Sequence, residues 1–147
     1  MAKSLKDEPL HLGLQATATS LTKITGGEWY EEYGKKFEKD GVEGRLVSMY
    51  TFTEPWDTWE MHPHGEEVVL CTAGELTLHQ TRDIDDDEQN AGTVVLKAGE
   101  YAVNPKGMWH TADCDAPCSA VFITPGLGTE LKPRKMNKKD GDKKEEL

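Results

Sequence analysis

The sequence contains little of what three large classes of protein require. Its three cysteines, Cys71, Cys114 and Cys118, are odd in number and too few for a disulfide framework, so a reducing compartment suits them. Only 17 Lys and Arg residues stand against 27 Asp and Glu, and the net charge of −10 disfavours binding to nucleic acid or to an anionic membrane. No apolar run approaches the roughly 20 residues of a membrane helix, and the start of the chain lacks the apolar core of a signal peptide. We therefore expect a cytoplasmic protein with no nucleic-acid partner and no membrane partner.

One domain fits the length of 147 residues, and changes in composition divide the chain into three parts. Residues 1–43 are expected to form an N-terminal extension, residues 44–131 the main domain and residues 132–147 a charged tail. The tail has almost nothing apolar to bury, so we expect it to be disordered. A basic arm that contacts an acidic partner is the less favoured interpretation of the same residues.

Aromatic residues recur at every fourth position in the N-terminal extension. Trp29, Tyr33 and Phe37 would share one face of a helix, and Thr25 begins a capping-box pattern just before them. The sequence therefore predicts one short N-terminal helix. The uncharged stretch 12–22 that precedes it is interpreted as a strand or an arm that lies on another part of the protein.

Beyond residue 44 the pattern changes to short runs of β-branched and aromatic residues, separated by Gly, Pro and Asn. The predicted strands are 46–53, 58–62, 68–71, 75–80, 93–97, 101–104, 109–112 and 120–124. Because no helical pattern lies between these runs, the predicted fold class is all-β, an antiparallel sandwich or barrel rather than alternating β-α units.

Histidines and carboxylates in two of these segments have the spacing of a metal site. If one strand runs through His62 and His64, both imidazoles point the same way, because side chains at i and i+2 share a face. A carboxylate follows at Glu67, with Glu66 as a competing candidate, and a third imidazole stands at His110. Such a set could hold one divalent transition metal ion, such as Fe, Mn, Ni, Co or Zn, and leave positions open for a substrate.

The two segments resemble the two sequence motifs of the cupins. The first cupin motif is similar to His62, His64, Glu67 and Gly74, and the second matches Gly99, Pro105, Gly107 and His110. The resemblance covers about residues 44–126 and implies a double-stranded β-helix, that is, a small jelly-roll barrel. It implies that the metal ligands are His62, His64, Glu67 and His110.

The sequence departs from the cupin pattern at two positions. Only Gly65 and Glu66 separate His64 from Glu67, one residue fewer than in the strict form of the first motif, so Glu66 competes with Glu67 as the ligand. The Asn that often closes the second motif is replaced by Cys114. The resemblance also implies a homodimer, formed by packing of sheets or by exchange of an N-terminal strand.

Glu60 precedes His62 by two residues, so strand alternation places both on one face. There Glu60 could act as a catalytic base or support a metal ligand, whereas a solvent-exposed strand end is the alternative. The first functional hypothesis is an enzyme, dioxygenase-like or isomerase-like, that binds a small molecule in the barrel beside the metal. The alternatives are a non-catalytic module that binds a small molecule or carbohydrate, and a regulatory protein whose tail docks elsewhere.

Overall fold

The computed structural model describes residues 1–85 and 91–135, and in these residues the chain forms one α-helix, two 3₁₀ helices and eleven strands. The α-helix is α1 (Gly27–Lys36), and the 3₁₀ helices are Leu14–Ala16 and Glu38–Glu43. The strands are β1 (Leu10–Leu12), β2 (Ala18–Ser20), β3 (Arg45–Phe52), β4 (Thr58–Met61), β5 (Glu67–Ala73), β6 (Glu75–Thr81), β7 (Gly92–Lys97), β8 (Tyr101–Asn104), β9 (Trp109–Asp113), β10 (Cys118–Thr124) and β11 (Glu130–Pro133).

The strands form two antiparallel sheets. One has the order β2-β1-β3-β10-β5-β8 and the other the order β11-β4-β9-β6-β7. Val69 and Phe122 of the first sheet pack in the same buried cluster as Leu76 and Leu78 of the second, so the two sheets face each other across one core. The all-β class and the double-stranded β-helix predicted from the sequence are confirmed.

All eight predicted strands are present as β3 to β10, and their bounds differ from the predicted ones by two residues or fewer. Three further strands are present: β2 lies within the stretch 12–22 that was interpreted as a strand or an arm, whereas β1 and β11 escaped prediction. Each has three or four residues, too few to show an alternating pattern. They form because the edges of the two sheets offer unpaired backbone groups: β1 joins β3, and β11 joins β4.

The predicted N-terminal helix is present, but its start differs from the prediction. The N-cap is Gly26, whose φ of 146° is a conformation that glycine adopts easily and other residues rarely adopt. No side chain caps the helix. The aromatic face is as predicted, since Trp29 is buried and stacks on Tyr33 with ring centroids 5.4 Å apart. The indole nitrogen of Trp29 also donates to the carbonyl of Thr22 at 3.1 Å, which fastens α1 to the preceding segment.

The structure places the ends of the main domain differently from the sequence analysis. The N-terminal extension contributes β1 and β2 to the six-stranded sheet. At the other end, Lys132 and Pro133 belong to β11, and the backbone nitrogen of Arg134 donates to the carbonyl of Asp57 at 2.9 Å. The predicted tail therefore starts too early at residue 132, and its remainder, 136–147, lies outside the described residues.

All three cysteines are free and buried, consistent with the absence of a disulfide framework. None of the helices in the described part of the chain is long and apolar enough to cross a lipid bilayer. The cytoplasmic location stays a prediction.

Candidate metal centre

Three strands bring imidazoles and carboxylates together between the sheets. Glu60 in β4 and His110 in β9 are direct cross-strand partners, so their side chains share the inner face. His62 follows β4, and its carbonyl accepts a hydrogen bond from the backbone nitrogen of Gly107 at 3.0 Å. Glu67 begins β5 in the opposite sheet. His62, Glu67 and His110 are 3%, 2% and 0% exposed, so the group is buried.

Two of the distances within this group are those expected of atoms that share a metal ion. Glu67 lies 3.2 Å from Nε2 of His62 through Oε2 and 3.1 Å from Nε2 of His110 through Oε1. Oε2 of Glu60 lies 3.7 Å from Nε2 of His110, and one ligand atom each of Glu60, His62 and His110 lie within 4.8 Å of one another. Bonds of about 2.1 Å to a metal would place neighbouring ligand atoms about 3.0–3.4 Å apart.

The hydrogen bonding of His62 is that of a metal ligand. The hydroxyl of Thr129 donates to the carbonyl of Gly126 at 3.0 Å, so the contact of 2.9 Å between Nδ1 of His62 and Oγ1 of Thr129 is one in which His62 donates. In neutral His62 the lone pair is then on Nε2, directed toward the carboxylates. Nε2 of His62 and both ring nitrogens of His110 are buried and have no hydrogen-bond partner among the described residues. A metal ion would satisfy the two Nε2 atoms, so the residues present fit a metal.

Hydrogen bonds hold the buried carboxylate of Glu67 in place. Asn104, its cross-strand partner, donates to Oε1 at 3.0 Å, and the hydroxyl of Thr124 donates to Oε2 at 2.6 Å. Burial opposes the charge of Glu67, but the adjacent imidazoles of His110 and His62 outweigh burial and hold the pKa of this carboxyl far below its usual range. The carboxylate of Glu67 is therefore ionised and held in one orientation, as a metal ligand should be.

The surroundings of His110 favour its protonated form when no metal is bound. Burial lowers the pKa of the imidazole. The neighbouring carboxylates of Glu60 and Glu67 raise it by more than burial lowers it, and the net result is a pKa of about 9. A cation is thus favoured at this point of the structure. A metal ion would supply that charge instead of the proton.

The structure separates the two histidines of the first motif. β4 ends at Met61, and His64 lies in the turn that follows, exposed and outside the group. A Cβ on Gly128 would lie 3.3 Å from Cδ2 of His64, so the ring lies against the loop between β10 and β11. Alternation within a strand predicted His64 as a ligand, and alternation does not continue through a turn.

The structure places two of the other candidate residues, Glu67 and Glu60, at the group and leaves Glu66 outside it. Glu67 is buried in the group, whereas Glu66 is exposed and lies outside it. Glu60 faces inward, and its side chain is 33% exposed. The catalytic role of Glu60 stays a prediction, as does the ligand set as a whole.

A cavity of about 980 Å³ lies beside this group and extends to α1. Part of its wall is a cluster of aromatic rings with centroids 5.3–6.1 Å apart, formed by Tyr50, Phe52, Trp56 and Phe122. The hydroxyls of Tyr30 in α1 and Tyr50 in β3 lie 2.6 Å apart, so the helix closes over the cavity.

Solved structures with similar folds place this arrangement in a known architecture. Oxalate oxidase is 16% identical over 78% of this chain and 62% of its own, with a TM-score of 0.51. A cupin-2 domain protein from Shewanella frigidimarina is 21% identical over 61% of this chain and 71% of its own, with a TM-score of 0.42. A double-stranded β-helix protein from Klebsiella pneumoniae is 26% identical over 62% of this chain and 76% of its own, with a TM-score of 0.48.

The protein has the cupin fold. No protein-family model and no curated protein matches the sequence. The likeness to oxalate oxidase concerns the fold alone, and the chemistry of the site rests on the residues described above.

Three polar residues that serve this cupin site have no motif in the sequence. Asn104, Thr124 and Thr129 hydrogen-bond to Glu67 or His62 from positions 37, 57 and 67 residues away along the chain. Asn104 closes the run 101–104 and faces Glu67 through strand pairing, but the register of that pair is not visible in the sequence. Tyr30 likewise reaches the cavity through the position of α1.

Proposed function

We propose that the protein is a divalent-metal-dependent enzyme that acts on a small organic molecule bound in the barrel. One observation carries the proposal. Two buried imidazole nitrogens, without a hydrogen-bond partner among the described residues, lie beside the carboxylates of Glu60 and Glu67, and both carboxylates line a large cavity. Pockets that combine an apolar wall with a few convergent polar groups are the usual form of small-molecule sites.

The residues around the centre would have separate roles in such an enzyme. When bound, a divalent ion supplies a Lewis acid for an oxygen of the substrate or a centre for oxygen chemistry. Thr129 fixes the ring of His62, and Asn104 and Thr124 fix the carboxylate of Glu67, so the donors are oriented before a ligand enters. The aromatic wall would exclude water from the substrate and contact its apolar part.

Elemental analysis of the purified protein tests the proposal directly. We expect about one transition metal ion per chain in the wild type after loading with Fe, Mn, Ni or Zn, and none in a His62→Ala/His110→Ala variant that circular dichroism shows to be folded. Aerobic and anaerobic screens of small acids and phenols would follow with the metal that binds. A wild-type protein that stays empty after loading contradicts the proposal.

The alternative is a non-catalytic module that binds a small molecule or carbohydrate. The cavity supports this alternative because its lining extends beyond the metal centre to Tyr33 in α1 and to Phe37 just after it. A binding module would keep its ligand affinity after the metal is removed by a chelator, whereas the enzyme would lose turnover. Thermal-shift screens with and without chelator separate the two functions.

A further inference from the structure

We propose that Glu60 is a metal ligand and takes the coordination position that the sequence motif assigns to His64. The inference rests on the proposed function, since it concerns the same metal. The donor set would then be two imidazoles and two carboxylates: Glu60, His62, Glu67 and His110. This replaces the role of catalytic base that the sequence predicts for Glu60.

The position of Glu60 in its sheet directs it toward the metal centre. β4 is paired on both sides, with β11 through Leu131 and with β9 through His110, so the backbone at Glu60 is held in register. Directly opposed residues on one face have Cβ atoms about 4.5–5.5 Å apart. Oε2 of Glu60 accordingly reaches to 3.7 Å from Nε2 of His110.

The turn after β4 keeps His64 away from the centre. Only two residues, Gly65 and Glu66, connect His64 to Glu67. A Cβ on Gly65 would lie 2.8 Å from Cγ of Pro125, and the ring of His64 lies against Gly128, so the turn packs closely on the loop after β10. Turning His64 inward would require this packed turn to rearrange, whereas Glu60 already lies inside.

The donor atoms lie close enough together to bind one ion. Nε2 of His62 and Nε2 of His110 lie 3.2 and 3.1 Å from the two oxygens of Glu67, and Oε2 of Glu60 lies 3.7 Å from Nε2 of His110. Bonds of about 2.1 Å to a shared ion would allow separations of up to about 4.2 Å. The side chain of Glu60 is 33% exposed and lines the cavity, so a ligand in the cavity could reach an ion bound at Glu60.

The charges of this donor set suit a buried divalent ion. Glu60 and Glu67 together balance a charge of +2, whereas three imidazoles with one carboxylate would leave a net positive charge in a buried site. Carboxylates favour Mn²⁺ and imidazoles favour Fe²⁺, and both ions accept the mixed set. The site is therefore expected to hold Mn²⁺ or Fe²⁺ with both carboxylates bound.

Manganese binding to the full chain tests the assignment with two matched pairs of variants. Glu60→Gln is compared with Glu66→Gln, which makes the same change at an exposed carboxylate, and His62→Ala is compared with His64→Ala. Each folded variant is titrated with MnCl₂, and bound Mn²⁺ is measured by elemental analysis and by its electron paramagnetic resonance spectrum.

We expect His64→Ala and Glu66→Gln to bind Mn²⁺ like the wild type, with the same spectrum. Glu60→Gln should bind at least about tenfold more weakly and change the spectrum, and His62→Ala should not bind. The inference is overturned if His64→Ala loses the metal, or if Glu60→Gln leaves affinity and spectrum unchanged, while the proposed function survives both results. A wild-type chain that binds none of the tested metals would overturn the proposed function as well.

Discussion

The orientation of single side chains decides the chemistry of the centre. His62 is oriented to bind a metal through Nε2, because the contact with Thr129 places the proton of the neutral ring on Nδ1. Thr129 itself is exposed and 67 residues away along the chain. An exposed threonine outside the barrel strands thus controls the tautomer of a buried histidine.

Replacing Thr129 with valine removes this control at constant size. We expect Thr129→Val to weaken metal binding by about 10-fold to 100-fold, because the ring of His62 loses its orienting acceptor. Thr72→Val, at an exposed position on β5, serves as the control and should bind metal like the wild type. Equal affinities of the two variants in a metal titration would show that Thr129 has no such role.

At the scale of elements, side-chain contacts attach two segments to the barrel: β11, and the helix α1 with the 3₁₀ helix that follows it. Arg134 follows β11 and binds both carboxylate oxygens of Asp113 in β9, at 2.7 and 3.1 Å. It also donates to the carbonyls of Trp56 and Ala112. Burial opposes the charge of Asp113, but Arg134 and His79 outweigh it and lower the pKa of the carboxyl below its ordinary value.

The lowered pKa of Asp113 makes the contribution of Arg134 depend on pH. The pair stabilises the fold above about pH 4, the ordinary pKa of Asp, and this contribution is lost as the pH falls through the lower folded value. Arg134→Gln should therefore lower the free energy of unfolding by about 1 kcal/mol near pH 7, because the partly exposed pair is screened by solvent. In urea titrations the difference from the wild type should narrow below about pH 4, and a difference independent of pH would contradict this.

The second segment, α1 with the 3₁₀ helix after it, is held by His11 of β1. This histidine is 2% exposed, and its ring nitrogens contact the hydroxyl of Tyr33 and Oδ2 of Asp40, each at 2.6 Å. The ring also stacks on Phe37 at 3.7 Å between centroids. One side chain therefore connects the barrel edge to the segment that covers the cavity.

Removing the side chain of His11 should destabilise α1 and the following 3₁₀ helix more than it destabilises the barrel strands. We expect His11→Ala to lower the free energy of unfolding by about 2–4 kcal/mol, because a buried ring and two hydrogen bonds are lost. Hydrogen exchange should quicken in α1 (Gly27–Lys36) while β5 and β10 keep their protection. His79→Ala, at a more exposed histidine, is the control, and equal exchange in α1 for both variants would contradict the role of His11.

At the scale of the whole molecule, the outer face of the six-stranded sheet is apolar. Pairing aligns two cross-strand rows of half-buried or exposed side chains: Leu10, Val47, Ile123, Val68 and Val103 in one, and Met49, Val121, Leu70 and Tyr101 in the other. Tyr101 is 67% exposed and Val103 39%. No carboxylate lies in these rows, although the chain carries a net charge of −10.

We propose that the homodimer implied by the cupin resemblance forms through this face. Two copies of so acidic a chain repel each other elsewhere, and apolar patches of this kind mark association sites. Val121→Lys places a charge in the middle of the face, so the wild type should elute as a dimer and this variant as a monomer, by light scattering after gel filtration. Lys97→Glu, outside the face, should leave the mass unchanged. A dimer that survives Val121→Lys but dissociates when residues 1–24 are removed would favour strand exchange instead.

The sequence by itself determined eight strands, the aromatic face of α1 and three of the four residues that meet at the candidate centre. These features depend on neighbours along the chain: alternation decides which side chains of a strand face inward, and glycine and proline mark the turns. His62, Glu67 and His110 were found for the same reason, since strand alternation or motif spacing holds at each of them.

Tertiary structure alone decided the rest. β1, β2 and β11 exist because the sheet edges pair with them, and Asn104, Thr124 and Thr129 reach the centre because distant strands are brought into register. Strand alternation left open whether Glu60 faces inward, and its pairing with His110 on the adjacent strand decided this, whereas His64 lies outside because β4 ends at Met61 and the chain turns. Where a strand ends is set by packing against the loops beside it, and that information lies elsewhere in the chain.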